Sequence, residues 1–99
     1  MAEHPLSPLE KLDPEFLEHL RGLDDLIFAD GALPRKFKLL MAMAFDASHG
    51  AHLGVRALAA AAMREGATRE EIAEALRVAC HLGGVGSAYT ACAGLKDIV

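Results

Sequence analysis

A chain of 99 residues with a formal charge of −4 has room for one small domain, and it carries no run of lysine or arginine that would give nucleic acid a phosphate-binding face. It is rich in apolar residues, roughly 60% when glycine is counted and tyrosine left out, against about 45–50% in a typical globular domain. So small a protomer cannot hide that excess, which predicts burial against other copies of the chain. The longest apolar run, Leu39 to Phe45, is too short to cross a bilayer, and the stretch from Met1 to Ser7 lacks a basic region followed by a long apolar one. No membrane or secretory role is expected, and the expected location is cytoplasmic. Cys80 and Cys92 form no zinc or redox spacing, so neither a metal nor a cofactor is expected.

Alanine and leucine dominate while valine, isoleucine and threonine are scarce, which favours helix over strand. Asp13-Pro14 reads as an N-cap with proline at the first helical position, and Phe16, Leu17, Leu20, Leu23, Leu26 and Ile27 follow at helical intervals to a stop near Asp30-Gly31. A second start at Pro34 is followed by Phe37, Leu40, Met41, Ala44, Phe45 and Ser48 on one face. Leu39, Ala42 and Met43 lie off that stripe, and a helix apolar nearly all round is expected in the middle of the fold or of an assembly. After a break at Gly50, a third helix runs through Val55, Leu58, Ala59, Ala62 and Met63 to Gly66, and its Ala59–Ala62 run leaves room for a close neighbour. Thr68-Arg-Glu-Glu71 is a capping box opening a fourth helix, with Ile72, Ala75, Leu76 and Ala79 inward. Gly83-Gly-Val-Gly86 breaks it, Ser87 is the expected cap of the next helix, and Tyr89 to Ile98 reads as the fifth and last. The expectation is an all-α protomer of about five helices, residues 1–99 forming a single domain.

The stretch Asp30 to Ala79, DGALPRKFKLLMAMAFDASHGAHLGVRALAAAAMREGATREEIAEALRVA, resembles the carboxymuconolactone decarboxylase family, which includes the AhpD-type antioxidant proteins. The resemblance rests on helix, glycine-containing turn, helix, then GATREEI and an alanine-rich helix leading to a glycine cluster. It implies an AhpD-like helical protomer in a homo-oligomer, commonly a trimer or hexamer, with a small-molecule pocket near a subunit contact. The redox-active branch of the family carries a glutamate ahead of a Cys-x-x-Cys pair on the central hairpin and a histidine one turn later. Matched by the shared glycine, the first cysteine falls on Ala51, the second on Gly54, the glutamate on Leu39 and the histidine on Leu58. None of these side chains can attack a peroxide or move a proton, so the redox mechanism does not transfer.

What remains polar at the hairpin is Asp46, Ser48, His49 and His52. If the second helix of the hairpin began by residue 49, the two histidines would share a face and Asp46 could orient His49 through a ring nitrogen. A metal site would need more ligands than this. An ordinary helix joint is the plain alternative to an acid/base site at His49 or His52. Cys80-His81 places a thiol beside an imidazole in sequence, yet adjacent helical residues point about 100° apart, so Cys80 and Cys92 read as packing residues unless one is redox-active. The glycine cluster follows a helix rather than a strand and lacks a P-loop's lysine, which excludes a nucleotide site. Tyr89 reads as a core aromatic; Arg35, Lys36, Lys38 and Arg56 read as ion-pairing residues, and His4 and His19 as surface.

Three functions follow. The first is cofactor-independent acid/base chemistry on a small carboxylate or carbonyl compound, through His49 or His52 with Asp46. The second is a catalytically silent oligomeric binding protein. The third is an AhpD-like antioxidant activity through Cys80 or Cys92.

Overall fold

The structure, a computed structural model, describes residues 4–99; the first three residues of the stretch read for a secretory signal lie outside them. The described residues form six helices and no strand. The Asp13 carboxylate accepts the Phe16 N–H at 3.1 Å, and with Pro14 in the first turn it opens α2 (Pro14–Ile27). A single four-residue turn, α1 (Leu9–Leu12), precedes it and brings the helix count to six rather than five. α2 stops short of Asp30 because that residue serves the next helix: its carboxylate accepts the Arg35 N–H at 2.7 Å. The intervening turn is pinned by Arg35 on the Phe28 carbonyl (3.2 Å) and Lys38 on the Ala29 carbonyl (2.7 Å).

α3 (Arg35–Ser48) begins after extended Pro34 and is surrounded by α4 (His52–Arg64), α5 (Arg69–Gly83) and α6 (Gly86–Leu95). Its buried face corrects the sequence reading. Leu39, Leu40, Met43 and Ala47 are inside, whereas Phe37, Met41 and Phe45 of the expected stripe are exposed. Both sets recur at helical spacing, and only the placing of the neighbouring helices selects between them.

α4 buries Val55, Ala59 and Ala62 and meets α6 closely. A Cβ on Gly94 would come to 3.0 Å from Val55 Cβ and press on the His52 carbonyl oxygen, so the crossing requires a glycine there. Thr68 forms the expected capping box: its hydroxyl accepts the Glu71 N–H at 3.1 Å, and the Glu71 carboxylate accepts the Thr68 N–H at 2.9 Å. That backbone bond, with the Lys36 ammonium 3.0 Å away, holds the Glu71 carboxyl below its ordinary value of 4.5. A lowered carboxyl stabilises the fold above the unfolded pKa, and the contribution is lost as pH falls through the folded value. Thr68→Ala is expected to cost about 1 kcal/mol in thermal or denaturant unfolding; a change of a few tenths would mean that the box carries no weight.

Ser87 does not cap α6. Its N–H bonds the Gly84 carbonyl (3.0 Å) and Gly84 turns at φ +89°, so the helix begins at Gly86 and ends at Leu95, ahead of the expected span. Ser87 is buried, and its hydroxyl finds no partner among the described residues. Tyr89 is exposed rather than a core aromatic. α2 lies against α1 and has no extensive contact with α3–α6. Phe28, just beyond its C-terminus, is its anchor on the core. No helix among the described residues is long and apolar enough to cross a membrane.

Candidate functional site

α3 ends at Ser48, His49 is its C-cap, Gly50 turns at φ +77°, and α4 opens at His52. The Asp46 carbonyl closes this joint, accepting from His49 N–H (3.2 Å) and Ala51 N–H (3.0 Å). Because the second helix begins at His52 and not by residue 49, the two histidines do not share a helix face. His52 is exposed in the first turn of α4, and among the described residues its ring has no hydrogen-bond partner.

His49 is held differently. Its Nδ1 lies 2.7 Å from the Phe45 carbonyl oxygen, which can only accept, so the neutral ring carries its proton on Nδ1 and its lone pair on Nε2. Ser48 Oγ donates to the same carbonyl (2.7 Å) and lies 3.3 Å from Nδ1. The carbonyl therefore fixes both side chains at the end of α3 and leaves Nε2 as the basic atom.

Asp46 does not bond the His49 ring directly. Its carboxylate lies against Gly54, where a Cβ would collide with Oδ2 and stand 2.9 Å from Cγ, so the carboxylate occupies the space of a side chain at position 54. Burial there raises the Asp46 carboxyl above its ordinary value of 3.8, and the nearby His49 charge partly offsets the rise. A raised carboxyl contributes stability that is present below the unfolded pKa and lost as pH rises through the folded value, so the ionised form is held at a cost.

Three surface depressions follow, of which the first reaches this hairpin. Between α3 and α5 an apolar cleft of about 300 Å³ is lined by Met41, Ala44, Phe45, Ser48, Val78 and Leu82, among others. Ser48 alone of the hairpin's polar groups lines it. It continues into a second depression that shares Met41, Ala44 and Val78 and is bordered by Glu71 and Glu74. Between α5 and α6 a groove of about 540 Å³ is floored by residues such as Leu76, Ala91 and Leu95 and carries Arg77, Lys96 and both cysteines. The fold thus brings Cys80 and Cys92 to one groove, a proximity that their spacing did not reveal. Both stand in the last turn of their helices, where the backbone dipole opposes a thiolate.

Arg35, Lys36, Lys38 and Arg56, read from the sequence as ion-pairing residues, all have partners within the protomer. Arg35 pairs with Glu65 (3.1 Å), Lys36 with Glu71 (3.0 Å), and Arg56 reaches the Gly94 carbonyl (3.4 Å). His4 and His19 are exposed, as is His81. Among the described residues no group of three or more histidine, cysteine, aspartate or glutamate side chains could hold a metal.

The order of helices, the α3–α4 hairpin and the capped α5 can now be set beside known proteins. The carboxymuconolactone decarboxylase family model matches residues 14–97. The chain belongs to that family. Its fold is similar, with a TM-score of 0.82, to the crystal structure of the apo form of a carboxymuconolactone decarboxylase family protein from Legionella pneumophila; the two are 31% identical, over 92% of this chain and 81% of that one. A comparison with curated proteins finds no match.

Within the family, the positions that the resemblance matches to the redox motif are apolar here, and the structure gives them other work. Leu39 is 2% exposed in the core, and Leu58 packs against it. Ala51 caps α4, and Gly54 makes room for Asp46. Gly54 is the residue that reasoning from sequence overlooked as part of the site. The available signal was its place across the hairpin from Asp46, with no side chain between them.

Proposed function

We propose that this carboxymuconolactone decarboxylase family protein performs cofactor-independent acid/base chemistry on a small, largely apolar carboxylate or carbonyl compound, as a homo-oligomer of three or six copies. The observation that carries the reading is His49: a backbone carbonyl fixes its Nδ1 proton, its Nε2 is free, and a carboxyl with a raised pKa stands beside it. In the proposed step Nε2 accepts a proton from the substrate, Nδ1–H stays on the Phe45 carbonyl, and Asp46 in its ionised form stabilises the imidazolium. The α3–α5 cleft, which reaches the hairpin at Phe45 and Ser48, is the proposed seat of the substrate's apolar body. Exposed Phe37, Met41, Phe45, Val78 and Leu82 support burial of this face in an assembly.

A second reading, a catalytically silent oligomeric binding protein, is favoured by one fact: Asp46, His49 and His52 all lie outside the cleft lining. A panel of small aromatic and aliphatic carboxylic acids and ketones, followed for turnover across pH, separates the two. Acid/base catalysis predicts turnover of at least one compound, with a limb from a carboxyl raised above its ordinary value. Binding without turnover throughout the panel would establish the silent reading instead.

A further inference from the structure

Among the described residues, the N-terminal segment covers α2 only along its Leu17–Leu20 edge, and the rest of its apolar face stands open. Taking about 100° per residue, Phe16, Leu20, Leu23 and Ile27 fall on one stripe, with Asp24 to one side and Glu15 to the other. Phe16, Leu23, Leu26 and Ile27 are exposed, and Leu26 is 75% so. A 14-residue helix with this pattern is marginal on its own and normally draws its stability from packing of the apolar face.

The α5–α6 groove supplies the complement. Its floor is apolar, Arg77 stands on the α5 side and Lys96 at the α6 end. Neither cation has an ion-pair or hydrogen-bond partner among the described residues, whereas Arg21, Arg35 and Lys36 are each paired. The helical walls of the groove, Ala73 to Cys80 on α5 and Ala88 to Leu95 on α6, each run about 10 Å at the helical rise, so they seat about two turns of the α2 stripe, which is about 16 Å long from Phe16 to Ile27. The depression between α3 and α5 is bordered by Glu74 and by Glu71, which Lys36 already pairs, so its lining offers the acids that flank the stripe no cation.

We infer that the apolar stripe of α2 docks in the α5–α6 groove of a second copy of this chain, with Glu15 and Asp24 meeting Arg77 and Lys96. The inference rests on the homo-oligomer of the proposed function and names the contact that builds it. If the exchange is reciprocal, one two-fold interface contains two such helices. Docking lays α2 beside Cys80 and Cys92, so a thiol placed on the stripe comes within reach of a thiol of the other chain.

The full chain tests this in two measurements. In a Cys80→Ser background, Leu23→Cys treated with a short bis-maleimide is expected to join native Cys92 of another chain, giving a covalent dimer on a denaturing gel, while Asp25→Cys on the opposite face gives none. By analytical ultracentrifugation, Arg77→Glu with Lys96→Glu is expected to weaken assembly by about tenfold or more, and adding Glu15→Lys with Asp24→Lys to restore it. Cross-linking within one chain would overturn the inference, because α2 would then fold onto its own groove. An intact oligomer with neither the cross-link nor a charge effect would overturn this contact and leave the oligomer standing. A wild-type monomer at all concentrations would overturn both.

Discussion

His49→Ala is expected to lower turnover of an identified substrate by about 10²–10⁴-fold, with Tm changed by no more than a few degrees. The ring is exposed at the end of α3, and its fixed contacts are the local ones to Phe45 and Ser48, so its removal opens no cavity. His52→Ala is the matched control, expected to change the rate by less than threefold or so, since nothing fixes that ring's tautomer or direction. Asp46→Asn should separate catalysis from stability by sign. It removes the carboxylate that stabilises the imidazolium and lowers the rate, yet at neutral pH it should raise Tm slightly. The native carboxyl has a raised pKa, so its ionised form costs stability at every pH above that value. Equal loss of rate in His49→Ala and His52→Ala would remove the argument from the Phe45 carbonyl. A Tm that falls in Asp46→Asn at neutral pH would show that the charged carboxylate is a structural partner.

Met43→Ala should destabilise the fold by about 3 kcal/mol, which for a chain of this size lowers Tm by about 15 °C. Met43 is wholly buried among α3–α6, so truncation loses transfer energy and leaves a cavity that close-packed neighbours fill only in part. Met41→Ala, two positions away on the same helix, should cost less than about 1 kcal/mol in the unfolding of the protomer, because half of that side chain is already exposed (51%). Its effect should be read in ligand binding at the α3–α5 cleft or in assembly. Parallel thermal melts of the two variants decide the matter: equal losses, or the larger one at Met41, would mean that the face of α3 turned to the core is the wrong one.

These two methionines also show how far the sequence reached. Helix starts were legible wherever one side chain satisfies backbone groups within a few residues: Asp13 on Phe16, Thr68 with Glu71, and Gly50, Gly66 and Gly84 at the stops with positive φ. Such signals are local, and local chemistry is written in order along the chain. Helix phase was not legible in α3, since a segment apolar on all sides offers two equally regular stripes. The expected cap at Ser87 failed for a related reason. A Gly84-Val85-Gly86 turn starts the helix early by a backbone bond that leaves no mark in side-chain chemistry.

The sequence by itself therefore determined the helical class, most helix beginnings, the family, and the absence of the redox residues from the hairpin. Each depends on residue types and short spacings. The tertiary structure alone decided which side of α3 faces inward, that Cys80 and Cys92 share a groove, that the Asp46 carboxylate fills the space beside Gly54, and that the Phe45 carbonyl selects His49 over His52. These facts depend on how rigid helices cross, and a crossing is set by the sum of many weak contacts between residues far apart in the chain.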